Sequence, residues 1–429
     1  MNQLSPVPHL TTALQGPLRQ LETTMLEKQD HIEAWFREQW AAIPPPFYAS
    51  VDLRNAGFKV APVDTNLFPA GFNNLNPDFH ALAVQAMQLA LERVCPTARK
   101  ILLVPEKHTR NRFYLENVAT LRDFIEQAGY QVRVGAVSSE ITDRQVEELP
   151  SGRELVLEPI RRDGDKLTLD DGFTPCAVLL NNDLSGGVPA VLKDIEHQIV
   201  PPLSLGWDNR LKSDHFQVYG EVAREFADVL DIDPWLVDPL FRNCGEINFK
   251  TREGEDCLAR NVAALLLDIK AKYDEYGIDA KPYCVVKADA GTYGMGIMTV
   301  DSPEAVQSLN RKQRKGMASR KEGGEVSQVI IQEGVPTLEQ LNGATAEPVV
   351  YMVDRFVIGG FYRVHGAKGA EDNLNAPGAS FERLAFAESC NTPHQELAPD
   401  AEPNRFYAYG VIARLALIAA AREIQSTKA

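Results

Sequence analysis

Apolar positions recur along this chain with two periods, one near 3.6 residues and one near 2, and the switches between them mark its elements. Leu14, Leu18, Leu21 and Met25, then Ile32, Phe36 and Trp40, fall near helical spacing with mostly polar residues between them. Residues 1–42 are therefore expected to be helical, and Pro44-Pro45-Pro46 stops them. Residues 47–79 are dense in Asn, Pro and Gly and read as mostly turn and loop. Residues 78–93 return to an amphipathic helical pattern.

After Lys100, the apolar run Ile101–Val104 predicts a strand covered on both faces, as in a parallel sheet. A polar loop comes next, then a helix over 115–128 capped by Gly129, then a strand in YQVRVGAV. Ligands sit beyond the carboxyl ends of the strands in such a unit. Lys107, His108, Arg110 and Asn111 fall at one such end. Asn181, Asn182 and Asp183 fall at another, after a buried strand beginning at Ala177. Residues 140–175 read as peripheral, a charged helix followed by short strands with turns at Asp163-Gly164 and Asp171-Gly172. Pro201-Pro202 and the turn-rich WDNRLKSDHF mark a linker. Beyond it, 214–230 and 261–276 carry helical patterns.

The stretch Lys281–Val300, KPYCVVKADAGTYGMGIMTV, reads as strand, glycine-rich turn and strand. Gly291, Gly294 and Gly296 would let the backbone approach a ligand closely. Successive N–H groups in such a turn make an anion-binding concavity, and Lys287 adds a point charge at the strand end. Because a strand follows the glycines, the pattern is neither a P-loop nor a dinucleotide fingerprint. EVSQVIIQEGVPT then predicts a buried strand ending in Gln332-Glu333, and EPVVYMVDRFVIGGFYRVHG a hairpin turning near Asp354-Arg355 or Gly359-Gly360. Residues 405–424 form a last helix with Val411, Ile412, Leu415 and Ile418 facing the core.

Composition narrows the function classes. With 429 residues, 44% of them hydrophobic, the chain can bury two or three cores. A net charge of −15 argues against a nucleic-acid role, although cations focused in one cleft can still hold a nucleotide. The six cysteines are scattered with no CxxC, which fits free thiols in a reducing cytoplasmic setting rather than a disulfide framework or zinc site. The longest apolar tract, Val411–Ala421, carries Arg414 and is too short to span a membrane. The N-terminus has no signal-peptide layout.

Taken in order, the motifs form a constellation: Lys212 before a helix, Lys287 with its glycine hairpin, the strand ending Gln332-Glu333, a hairpin carrying Arg363, and Asn373-Leu374-Asn375-Ala376-Pro377-Gly378. This order resembles the ATP-grasp superfamily over residues 205–425, and residues 45–200 resemble its N-terminal domain in fold type only. Within the superfamily, VVKADAGTYGMGIMTV, the QEG segment and NLNAPGASFERLAF resemble the bacterial ATP-grasp glutamate–cysteine ligases. The resemblance implies an α/β and α+β fold: a helical segment over 1–45, a doubly wound parallel-sheet domain over 46–204, and two α+β subdomains clamping ATP over 205–429. It implies that Lys212, Lys287, Gly291, Gly294 and Gly296 bind the phosphates, and that Gln332 and Glu333 form a hinge beside adenine and ribose. Arg363 would neutralise charge during transfer, and Asn373, Asn375 and Asp354 would bind Mg2+. Many such ligases have Glu-x-Asn where this chain has Asn373-Leu374-Asn375, so the carboxylate would come from Asp354, Glu371 or Asp372.

The expected partners are L-glutamate, L-cysteine and ATP, with neither nucleic acid nor membrane, and a homo-oligomer is left open. The amino-acid site is expected between the N-terminal domain and the clamp, lined by some of Arg54, Asn55, Asn66, Arg110 and Asn181. The alternatives are another carboxylate–amine ligase of glutathione-synthetase or peptide-tailoring type, a small-molecule kinase, and a non-catalytic nucleotide-binding scaffold.

Overall fold

The computed structural model describes residues 10–11, 16–107, 111–291, 296–318, 326–383 and 405–426. The helical start is present as Pro17–Glu27 and Gln29–Ala42, which bury Leu18, Leu21, Met25, Ile32 and Phe36. Three larger sheets organise the rest, with a two-stranded ribbon at Arg161–Asp163 and Lys166–Thr168.

The first sheet runs in the order Gln198–Val200, Ala177–Asn181, Lys100–Pro105, Gln131–Ala136, Glu154–Pro159, Gln145–Glu148. All neighbours are parallel except the last pair. Strands Lys100–Pro105 and Ala177–Asn181 are buried along almost their whole length, as uninterrupted apolar runs require. They lie side by side although far apart in sequence, and the chain leaves Lys100–Pro105 toward Gln131–Ala136 on its other flank. That arrangement opens a crevice at their carboxyl ends, beside Glu106 and Asp183. Helix Arg112–Gln127 starts there, with Asn111 capping it through the N–H of Tyr114. Residues 145–148, expected inside a charged helix, are an edge strand antiparallel to Glu154–Pro159.

The second sheet departs most from the sequence reading. Residues 47–79 are not mostly loop. Tyr48–Asn55 and Val60–Asn66 are antiparallel strands, and Tyr48–Asn55 pairs with Ala344–Val353 rather than with the parallel sheet. Ala344–Val353 continues to Phe356–His365, which pairs with Ser380–Glu382. The hairpin turn is at Asp354-Arg355, one of the two expected places. Helix Arg405–Ser426 packs against Tyr48–Asn55, Val60–Asn66 and Ala344–Val353.

The third sheet is antiparallel, in the order Phe241–Glu246, Gln328–Glu333, Cys284–Ala288, Ile297–Val300. The last two strands are the arms of the glycine hairpin, and helix Glu255–Glu275 backs the sheet. Helix Lys212–Leu230 packs on Arg405–Ser426 and ties the second and third sheets together. A buried cluster locks this joint. Arg210 donates to both carboxylate oxygens of Glu423 at 2.6 and 3.0 Å and to the Thr65 carbonyl at 2.7 Å, and His215 Nδ1 lies 3.2 Å from Glu423.

Candidate active site

Between the second and third sheets lies a cavity with strongly charged walls. The glycine hairpin supplies Lys287, Ala288 and Gly291, and the neighbouring strand supplies Gln332 and Glu333. The opposite wall is the second sheet, with Asp52 and Arg54 from one strand, Asp64 from the next, Glu347 and Arg363 from the long hairpin, and Glu371, Asn373 and Asn375 from the loop after it. Lys212 enters from the first turn of its helix.

Lys287 Nζ donates to the Val63 carbonyl at 2.8 Å and to Gln332 Oε1 at 2.6 Å. Burial pushes its pKa down to about 8, against the pull of Asp64. Lys212 Nζ donates to Asp64 at 3.0 Å and sits 3.8 Å from the centre of the Trp207 ring. Burial opposes ionisation of Asp64, but Lys212 and Lys287 hold its pKa below the ordinary carboxylate value. Arg363 bridges Asp52 at 2.8 Å and Glu347 at 2.5 Å, and Arg54 meets the other oxygen of Glu347 at 3.0 Å. Asp52 and Asp64 face one another across the paired strands. Burial raises the pKa of Asp52, and the nearby charges of Glu347 and Asp64 add to the rise. Among the described residues, Gln332 Nε2 and Arg363 Nε are buried without hydrogen-bond partners. Each is an unused donor in the cavity wall.

Asp52, Asp64, Arg363 and Asn375 also border a second cavity of 930 Å³, which reaches the crevice of the parallel sheet. Its walls carry Asn66, Asn73, Asn74, Asn111 and Asn117, together with Glu106, Tyr114 and Asp183. Tyr114 OH donates to the Asn181 carbonyl at 2.6 Å, and Asn117 donates to Asn181 Oδ1 at 2.8 Å.

The structure thus brings together Lys212, Lys287, Gly291, Gln332, Glu333, Arg363, Asn373, Asn375 and Arg54 in one cavity, with Gly296 at the base of the same hairpin. Others stand elsewhere. Asp354 is at the turn of the long hairpin, at the end remote from Arg363, and is held by Arg93 at 2.8 Å. It borders neither cavity, so the expected carboxylate for the asparagine pair is not Asp354. Glu333 borders the first cavity, but its carboxylate is engaged from behind by Lys59 at 2.9 Å, the Trp235 indole at 3.1 Å and the Leu240 N–H at 2.9 Å. Asn55 is fully buried against Tyr409 at 2.9 Å, away from both cavities. Asn66 borders the second cavity, and its Oδ1 accepts from the Phe68 N–H at 2.9 Å. Asn181 lies behind Tyr114 and Asn117 rather than on the cavity surface. Arg54 spends its guanidinium on Glu347 and on the carbonyls of Val335, Ala370 and Asp372, so it staples the wall rather than waiting for a ligand. His108, Arg110 and Gly294 lie outside the described residues.

Sequence reading missed Asp52, Glu347 and the pairing of Asp52 with Asp64. One pattern could have found the first: in Val51-Asp52-Leu53-Arg54, apolar and charged residues alternate, the period of a strand with one charged face. Among the described residues no group of three or more His, Cys, Asp or Glu side chains could hold a metal ion. Asp52 and Asp64 are nonetheless two oxygen donors on the wall shared by both cavities. Magnesium usually keeps waters and takes only one or two protein carboxylates plus phosphate oxygens, and this donor set fits that habit. No helix among the described residues is long and apolar enough to cross a membrane.

The chain is 57% identical to a protein from Methylobacillus flagellatus described as a candidate gamma-glutamylcysteine synthetase. The match has a TM-score of 0.91 and covers 98% of this chain and 99% of that one. A D-alanyl-alanine synthetase A from Vibrio cholerae is 12% identical, with 74% and 81% covered and a TM-score of 0.34. A glutathione synthetase-like effector from Globodera pallida is 11% identical, with 83% and 84% covered and a TM-score of 0.37. Those two likenesses are too slight to bear on fold or function. No curated protein matches the chain. The family model for glutamate–cysteine ligase spans residues 22–424. On that span, and on the close likeness to the Methylobacillus protein, the chain belongs to the glutamate–cysteine ligase family.

Proposed function

We propose that this protein joins the γ-carboxylate of L-glutamate to the amine of L-cysteine, using ATP in an ATP-grasp type of clamp. One observation carries the reading. Lys212, Lys287 and Arg363, from three separate parts of the chain, meet in one cavity whose wall of Asp52, Asp64 and Asn375 also faces a roomy, asparagine-lined second cavity. The first cavity suits a triphosphate, because phosphoryl transfer is catalysed mainly by positioning and by charge placed where charge develops. Carboxamides and carboxylates in the second suit a zwitterionic amino acid.

In this reading Lys287, Lys212 and the N–H groups of the glycine hairpin hold the phosphates. The side-chain amine of Lys212 exchanges its bond to Asp64 for a phosphate oxygen. Asp52 and Asp64 would hold Mg2+, which when bound would offset the negative charge of the phosphates. Arg363, with its unused Nε–H, faces the γ-phosphoryl group as it passes to the glutamate carboxylate, giving an acyl phosphate and ADP. The cysteine amine then attacks the acyl carbon, loses a proton and expels inorganic phosphate. The glycine hairpin is the element that would open to admit ATP. Its closure afterwards keeps water from the acyl phosphate.

The test is phosphate release from ATP with glutamate, with and without cysteine, and the mass of the product. The expected product is γ-glutamylcysteine, one per ADP. ATP turnover that needs no amine and yields no amide would reject the ligase reading in favour of a kinase.

A further inference from the structure

The loop 366–379 leaves strand Phe356–His365 two residues after Arg363 and returns to pair with the same strand at Ser380. It brings Glu371, Asn373 and Asn375 to the nucleotide cavity, and Asn375 through Ala379 to the second one. Its first half is firmly held. Thr345 Oγ1 donates to the Lys368 carbonyl at 2.6 Å, and Arg54 and the Thr337 N–H both bind the Ala370 carbonyl. The second half, which walls both cavities and buries Leu374, is reached from outside the loop by one hydrogen-bonding side chain among the described residues. His365 is buried, its Nε2 lies 3.1 Å from the Pro377 carbonyl, and its Nδ1 lies 3.2 Å from the Ala367 N–H. No other hydrogen bond among the described residues reaches 373–378 from outside the loop. The partners fix the tautomer. A peptide N–H can only donate, so Nδ1 accepts, and a carbonyl can only accept, so Nε2 carries the proton. Gly378, at φ +98°, lies beside this ring. A Cβ there would stand 3.4 Å from Nε2.

We propose that His365 is a positioning residue for the ligation. As a neutral ring protonated on Nε2, it ties the two ends of the loop together and presses Asn375–Gly378 against the strand that bears Arg363. The nucleotide and amino-acid cavities then share one closed wall. With the tie cut, nucleotide is held less firmly and water reaches the acyl phosphate, cleaving it to glutamate and inorganic phosphate without an amide.

The inference rests on the ligase reading above, and two measurements keep their failures apart. His365→Ala removes both hydrogen bonds. His365→Asn keeps an acceptor for the Ala367 N–H but is too short to reach Pro377. In the alanine variant the KM for ATP is expected to rise about tenfold, the effect of one lost buried hydrogen bond, and ADP release is expected to exceed amide formation. The asparagine variant, which also loses the Pro377 bond, should show both defects to a similar extent, and it decides the matter if the alanine protein does not fold. A folded variant with unchanged KM for ATP and one ADP per amide overturns the proposal. ATP affinity by calorimetry reads the latch independently of which amino acids are joined, so a wrong substrate pair would not be mistaken for a wrong latch.

Discussion

Lys287 is the side chain on which the nucleotide reading turns most directly. Its pKa, lowered to about 8 by burial, leaves it mostly charged at neutral pH and neutral above that value. The KM for ATP measured from pH 7 to 9.5 is therefore expected to climb above about pH 8, and a flat profile would remove Lys287 from the phosphates. Lys287→Ala should lower kcat/KM by about 10²–10³, the usual loss for one donor aimed at developing charge, with circular dichroism unchanged. Of the cationic residues, Lys287 was legible from its place at a strand end before the glycines, whereas Lys212 and Arg363 stood out only through the resemblance in motif order. Their anionic counterparts were not legible. Asp52 is hidden in a stretch whose Asn, Pro and Gly content reads as loop, and sequence gives no hint that the Glu333 carboxylate turns inward to Lys59. The two candidate metal sets can be separated by titrating Mg2+. Asp52→Asn and Asp64→Asn are expected to raise the Mg2+ concentration needed for half-maximal rate, whereas the double variant Asn373→Ala, Asn375→Ala should weaken ATP binding and leave the Mg2+ requirement unchanged.

Among the elements, the long helices and the buried parallel strands were legible, because a period sustained over many residues survives tertiary context. Short segments did not survive it. Gln145–Glu148 is a strand because Glu154–Pro159 offers it a free edge, and the hairpin Tyr48–Asn66 forms because Ala344–Val353 pairs with it. Helix Arg405–Ser426 is held to its neighbour by Glu423. Burial alone would raise the pKa of that carboxyl, but Arg210 and then His215 outweigh it and bring it to about 2. A carboxylate whose pKa is depressed on folding contributes stability at pH values above its unfolded pKa and loses that contribution as pH falls toward the folded one. Glu423→Gln should therefore cost about 3 kcal/mol at pH 7, measured by urea unfolding. The gap to the parent protein should narrow between pH 4.5 and 2.

At the scale of the molecule, the expected division at residue 46 does not follow the sheets, since 48–66 pair with the second sheet while the parallel sheet begins at Lys100. Sequence order hides such a pairing, because partners distant along the chain leave no periodic trace. The same arrangement puts the cavity proposed for ATP at the seam of two sheets, so a ligand there should brace both. ATP at about 100 times its Kd adds roughly 2.7 kcal/mol by mass action. A rise of several degrees in Tm is expected for the parent protein and none for Lys287→Ala.

The pairing of Tyr48–Asn55 with Ala344–Val353 also bears on how the polypeptide is made. The hairpin emerges from the ribosome about 280 residues ahead of its partner, on the order of tens of seconds at ordinary synthesis rates. A lone two-stranded ribbon is marginal in water, and this one holds an unpaired edge and the apolar side chains of Val51, Leu53 and Val60. Nascent chains of this protein should therefore recruit holdase chaperones until the last strands arrive. Ribosome-bound fragments ending before residue 340 should aggregate once released.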